Sequence, residues 1–298
     1  MRLNTLVARC LVLVAGSILP IVHAFAATLV DAVPHRVTLD GIIHPQTDDT
    51  LAFTPDGNTV FFDRGENKHE TIMVSHNVNG RWSPPRVASF SGRWHDKDPA
   101  MSPDGSWLVF ASNRPTSPGG APVVSHYQGH AYHGDNLWKV ERAGQGWGTP
   151  VWLGPVVNDK AFIAAPSIAA DGSLYFIRRE NGVTYIFQSR FRNGAYQPSE
   201  RVVLGAPGVT THDPAIAPDQ SFIVFDYGKT KGGLGRLCIA FREGDHWGKP
   251  IDLGDTVNGD GPWGSHLASD DHTIYFTGNS GIWRLSLDPW LRARGIHH

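Results

Sequence analysis

Asp98, in "HDKDPAMSPDGSWLVFASNR" (residues 95–114), and Asp213, in "THDPAIAPDQSFIVFDYG" (211–228), occupy the same place in two similar phrases, each immediately before a proline. Two carboxylates near one axis can bind a cation or divide acid and base work, and glycoside hydrolysis needs such a pair about 5 to 9.5 Å apart. The competing role is architectural, because Asx side chains at a strand entrance often accept backbone hydrogen bonds. Other copies of the phrase carry Thr50, Ala165 and Gly264 at this place.

A second series follows a few residues later: Asp63-Arg64, Asn113-Arg114, Arg178-Arg179 and Asp226-Tyr227, with Thr277-Gly278-Asn279 in the last copy. Arginine offers a planar fork for carboxylates and phosphates, so these positions suit an anionic ligand such as a uronate or a peptide C-terminus. Salt bridges to the neighbouring aspartates would use the same fork. His95, His212 and His266 flank the starts of three copies, where imidazoles could act as a base or bind metal. Their offsets from the turn aspartate of each phrase are 9, 7 and 4 residues, which argues against one convergent site.

The insertion "PTSPGGAPVVSHYQGHAYHG" (115–134) holds His126, His130 and His133 among tyrosines. On a helix the first two would share a side and could chelate zinc, but its glycines disfavour a helix. The expectation is a lid or ligand-contacting loop, with the metal site as its alternative. A binding site would therefore draw on Asp63, Arg64, His95, Asp98, Arg114, Arg178, Arg179, His212, Asp213, Asp226, Tyr227 and His266. A hydrolase would use carboxylates among Asp98, Asp213 and Asp226. A lyase would use Arg114 or Arg178 against a uronate, and His212 or Tyr227 as base. No Gly-rich phosphate cradle, paired-cysteine motif or triad sequence is present, so no cofactor is expected.

These residues sit on a repeat. Beside the two phrases stand "DDTLAFTPDGNTVFFDRG" (48–65), "IAAPSIAADGSLYFIRR" (163–179) and "WGSHLASDDHTIYFTGN" (263–279), with turn aspartates Asp56, Asp104, Asp171, Asp219 and Asp270 spaced by 48, 67, 48 and 51 residues. Each unit adds a strand, a Gly-containing turn and an aromatic-led segment, making four strands. Runs such as "WLVFAS" and "FIVF" are apolar on both faces, as strands covered by neighbours on either side must be. Units of this kind without intervening helices predict an all-β, five-bladed β-propeller of four-stranded antiparallel blades. The last unit lacks its fourth strand, and "PHRVTLDGIIH" (34–44) is expected to complete it and hide the open edge.

Antiparallel order then puts every Pro-Asp-Gly-type turn on one face, here the far face. The histidine- and charge-rich loops gather on the other, the near face, where a rigid frame most readily carries binding residues. Trp82, Trp147, Tyr196 and Trp247 recur at one point of the far-face repeat and are expected to pack rather than bind.

The phrase "DP..SPDG..L.F.S.R", best matched from Asp98 to Arg114, resembles the WD40-like (PD40) repeat family typified by the propeller of TolB. The resemblance spans the chain after its leader and implies the propeller fold. It leaves function open, since such repeats occur in periplasmic scaffolds, peptidase gating domains and some polysaccharide lyases. Neither an α/β domain ahead of the repeats nor a hydrolase domain after them is expected, and no G-x-S-x-G signature is present.

The remaining features bound the setting. "MRLNTLVARCLVLVAGSILPIVHAFA" has the basic start, apolar middle and small-residue end of a secretory signal peptide. The expected division is a leader over 1–26, the propeller over 27–290 and a tail over 291–298, in a periplasmic or secreted protein. Without the leader, 24 basic residues face 28 acidic ones and Cys238 is the one cysteine, so nucleic acid is an improbable partner and an internal disulfide is excluded. No membrane span is expected after leader cleavage. The expected function is capture of a peptide, protein or glycan in the envelope, with a carbohydrate-active enzyme as the alternative.

Overall fold

A computed structural model of the chain describes residues 32–66, 69–127, 130–228 and 235–296; the leader read at 1–26 lies outside them. Five antiparallel sheets stand in a ring, a five-bladed β-propeller with 51% strand and 7% helix. With no helical layer available, the blades must cover one another.

From the inner strand outward, blade one is Asp48–Phe53, Thr59–Glu66, His69–Val78 and Arg86–Val87. Blade two is Asp96–Met101, Trp107–Ser112, Asn136–Ala143 and Val151–Trp152. Blade three is Ile163–Ile168, Leu174–Glu180, Val183–Ser189 and Glu200–Arg201. Blade four is Thr211–Ile216, Phe222–Tyr227, Arg236–Glu243 and Ile251–Asp252. Blade five is Trp263–Leu267, Thr273–Gly278 and Gly281–Ser286, and His35–Arg36 pairs with its third strand through His35↔Arg284 and Arg36↔Trp283.

The core lies between blades. Phe61 and Ile72 of blade one pack with Leu108, Phe110 and Val140 of blade two. Ala215, Val224 and Ile239 of blade four pack with Ile274, Phe276 and Leu285 of blade five. The far-face aromatics join these seams: Trp147 meets Phe61 edge-on at 5.4 Å, and Arg242 covers Trp247 at 3.9 Å. The helix Asp288–Ala293 buries Trp290 and Leu291, so packing continues into the segment read as a tail.

Each far-face turn has the same mechanics. Asp56, Asp104, Asp171, Asp219 and Asp270 all accept the N–H two residues on, at 2.8–3.0 Å. The residue after each aspartate is left-handed, Gly57, Gly105 and Gly172 without strain and Gln220 and Asp271 at φ 62° and 57°.

The inner strands share a second device. In every blade the pairing with the second strand slips by one residue, so two inner residues oppose one. The first of the two is Thr50, Asp98, Ala165, Asp213 or Gly264, all left-handed at φ 47–61°. The residue across from each bulge is a phenylalanine: Phe62, Phe110, Phe176, Phe225 and Phe276, all at most 1% exposed. Burying each ring stabilises the blade by roughly 1.5–3 kcal/mol, enough to hold an unfavourable backbone of about 1–3 kcal/mol.

Candidate binding site at the channel mouth

A bulge leaves a ladder N–H without its strand partner, and carboxylates take these up. Asp98 Oδ2 accepts from Ala165 N at 3.0 Å and Asp213 Oδ2 from Gly264 N at 2.9 Å, each reaching the matching position of the next blade. Asp63 Oδ2 accepts from Asp98 N at 3.4 Å, and Asp49 Oδ1 from Thr50 N at 2.8 Å. Trp263 Nε1 donates to Asp49 Oδ2 at 2.6 Å and the Thr277 hydroxyl to its other oxygen, tying blade five to blade one. Asp98 and Asp213 thus have the architectural role, and they line the axis as well.

Where the near-face ends of blades one and two meet, more ionisable groups join Asp49, Asp63 and Asp98. Lys97, beside Asp98, lies 3.4 Å from Asp135 at the start of the third strand of blade two. Burial disfavours the Lys97 ammonium, but Asp98, Asp135, Glu70 and Asp63 outweigh it and raise its pKa. Burial raises the Asp63 carboxyl well above the carboxylate range, reinforced by repulsion from Asp49, Asp98 and Glu70. Burial likewise pushes Glu70 to about 7 and Asp135 to about 6. Asp213, on the other side of the axis, is pushed to about 6 by burial, with Asp98 and Asp49 repelling it. Asp63 Oδ1, Glu70 Oε2 and Asp135 Oδ1 are buried with no hydrogen-bond donor.

The insertion lies beside this group, and here the structure corrects the sequence expectation. Rather than an irregular loop, residues Val124–Tyr127 and His130–His133 form an antiparallel hairpin. Strand alternation sets His126 and His133 on one side and His130 on the other, so the three cannot converge on a metal. Among the described residues no group of three or more His, Cys, Asp or Glu is placed to hold a metal ion. His133 instead stacks on His95, ring centroids 4.6 Å apart, and contacts Asn113 Nδ2 through Nδ1 at 3.2 Å. His95 Nδ1 accepts the Glu70 N–H at 3.2 Å, which leaves the neutral-ring proton on Nε2, 3.2 Å from Glu70 Oε2 but outside hydrogen-bond geometry. Burial, helped by Lys97 and His133, lowers the His95 pKa to about 4 and keeps the ring neutral.

Below the mouth the axis holds a cavity of about 170 Å³, lined by Ala52, Ala100, Ser167 and Ile216 and by His266. The His266 Nε2 is buried without a partner, and burial lowers its pKa to about 4.

Several of the other expected site residues are held elsewhere. Arg64 is held by Asp48 at 2.6 and 2.7 Å, Arg114 by Asp96 at 2.7 Å, and Arg178 by Asp159 and Glu180 at 2.7 and 2.6 Å. Arg179 lies over the Phe162 ring. Arg64, Arg114 and Arg178 are thus held in salt bridges, while Arg179 shares the Phe162 ring with Lys97. Tyr227 accepts the Ala206 N–H at 2.9 Å, away from the axis. His212 pairs with Asp226 across the first two strands of blade four, where blade one has Asp49 opposite Asp63. Sequence reasoning missed Asp49, Glu70, Lys97 and Asp135. Of these, Asp49 and Lys97 directly precede a bulge residue, a signal the repeat alignment contained.

No helix among the described residues is long and apolar enough to cross a membrane. No family profile matches the sequence, and no curated protein matches it. Similarity is found in solved structures. A putative TolB from Agrobacterium tumefaciens is 14% identical over 79% of this chain and 71% of its own, with a TM-score of 0.52. TolB from Acinetobacter baumannii is 13% identical over 82% and 56%, at 0.48, and a Bacteroides ovatus xyloglucan-locus protein, GH43B, 13% over 82% and 49%, at 0.49. At such identities the likeness concerns fold alone: the chain is similar in architecture to TolB-like β-propellers.

Proposed function

We propose that this protein is an exported binding propeller whose channel mouth holds a peptide or protein segment through an ammonium group. The observation that carries the reading is an imbalance: the carboxyls of Asp49, Asp63, Glu70, Asp98 and Asp135 gather about Lys97, and three of their buried oxygens, Asp63 Oδ1, Glu70 Oε2 and Asp135 Oδ1, lack donors. An ammonium brings three donors and the missing charge; glycan hydroxyls donate and accept but bring no charge. The hairpin, resting on His95 through His133, is the part able to close over such a ligand. Export rests on the leader at 1–26, and mass spectrometry of secreted material checks its removal.

The test is calorimetry of the full chain against lysine-containing peptides and their acetylated counterparts, at pH 5.5 and 8. Binding requires the raised carboxyls to lose protons, so affinity rises with pH through about 6 to 7 and protons are released. Asp63→Asn weakens binding. Equal affinity for the acetylated peptides, or a pH-independent affinity, overturns the reading.

One observation favours a catalytic alternative. Glu70, pushed to about 7, keeps a proton near neutrality, as a general acid must. Reducing ends or unsaturated uronate released from a polysaccharide panel, and lost in Glu70→Gln, would establish it.

A further inference from the structure

A second concavity lies on the outer flank of blade two, built from different chemistry. Its volume is about 480 Å³, and Trp94, Trp138 and Trp152 line it beside Arg93, Arg114 and the loop at 115–119. Trp138 and Trp152 face each other across paired strands. Trp152 Nε1 donates to Asn136 at 3.0 Å, whereas Trp138 Nε1 is buried with no acceptor, in a residue only 8% exposed.

The arginines add donors. Arg114 spends Nε on Ser112 and Nη2 on Asp96 and the Phe90 carbonyl, with its guanidinium 5.4 Å from the Trp138 ring. Nη1 is the remaining nitrogen, without a hydrogen bond among the described residues. Asp96 balances the Arg114 charge, so the uncompensated cation is Arg93, which lies over Trp94 at 5.0 Å and has no ion pair among the described residues. No carboxylate lines the cavity.

We propose that this cavity takes the C-terminal carboxylate of a peptide ending in an aromatic or large aliphatic residue. The carboxylate would meet Arg93 and the free edge of Arg114, a charge-assisted contact, while the terminal side chain fills the space between indole rings. A sugar fits less well, because pyranose hydroxyls need acceptors and the lining side chains supply only the hydroxyls of Thr116 and Ser117. This site is independent of the acidic mouth and has the opposite sign.

Tryptophan fluorescence of the full chain, titrated with acetyl-Gly-Ser-Gly-Ser-Phe as free acid and as amide, tests it. The free acid is expected to bind about tenfold or more tightly than the amide, and Arg93→Gln to remove most of that preference. Trp94→Ala reduces affinity for both. Asp63→Asn, at the mouth, leaves this binding unchanged, so failure of either site is distinguishable from failure of the other. Because Arg93 is exposed, its substitution leaves the fold intact, which unchanged thermal unfolding verifies. Equal binding of acid and amide, no binding of either at millimolar concentration, or capture of hexuronate oligosaccharides in place of the peptide would each overturn the proposal.

Discussion

Asp98 Oδ2 accepts the N–H of Ala165 at 3.0 Å, and Ala165 holds in blade three the place that Asp98 holds in blade two. The carboxylate therefore ties one bulge to the next while sitting among the charges of the mouth. Substitution separates the two roles. Asp98→Ala orphans the Ala165 N–H and is expected to cost about 1–3 kcal/mol in denaturant unfolding. Asp98→Asn keeps an acceptor oxygen and removes a charge that repels Asp63 and Asp213, so it should stay within about 1 kcal/mol of the parent at pH 8. Equal losses would put charge rather than the hydrogen bond in control of the joint.

Glu70 makes a pH-dependent contribution of definite sign. Burial raises its folded pKa from 4.5 to about 7, so between these values the folded state holds a proton the unfolded state has released. Its contribution to stability therefore falls as pH rises through that window and stays low above it. Glu70→Gln has no such term. Its unfolding midpoint relative to the parent should improve from pH 4.5 to pH 8, and a difference that does not change with pH would contradict the assignment.

What could be read from the sequence was what repeats. The turn aspartates and the series Thr50, Asp98, Ala165, Asp213 and Gly264 align by spacing alone, because each blade repeats the same hairpin and the same bulge. The charged mouth does not repeat. Glu70, Lys97 and Asp135 start different strands of two blades, and their meeting depends on how those blades are rotated about the axis. Local alignment also misled at the arginines. Pairing puts Arg64 opposite Asp48 but Ser112 opposite Asp96, so Arg114, two residues further on, reaches its aspartate from beyond the strand. In the insertion, Gly and Pro punctuation masked the short alternation that makes a hairpin.

His133 is the hairpin's foothold on the mouth. Its ring stacks on His95 and contacts Asn113, so His133→Ala should release the hairpin without unfolding the blades. Hydrogen exchange should quicken across 124–133 and remain slow in the inner strands. Water then reaches His95 and one repelling ring is gone, so the His95 pKa should climb from about 4 toward its ordinary value, as NMR titration would record. Unchanged exchange in the hairpin would mean that other contacts hold it.

His266 tests the axis from the opposite direction in pH. It stands where the other blades have Ala52, Ala100, Ser167 and Ala215, with a buried, unpartnered Nε2. Burial lowers its folded pKa from 6.5 to about 4, so below 6.5 the unfolded chain takes up a proton that the folded chain refuses. The parent consequently loses stability as pH falls from about 6.5 to 4. His266→Ala removes that term and matches the small residues around the ring, at the expense of a larger cavity and its lost packing. The variant should be less stable than the parent at pH 8 and regain ground at pH 4.5. If the gap stays constant, the imidazole is paired in solution, and the axis holds an acceptor or a water at Nε2.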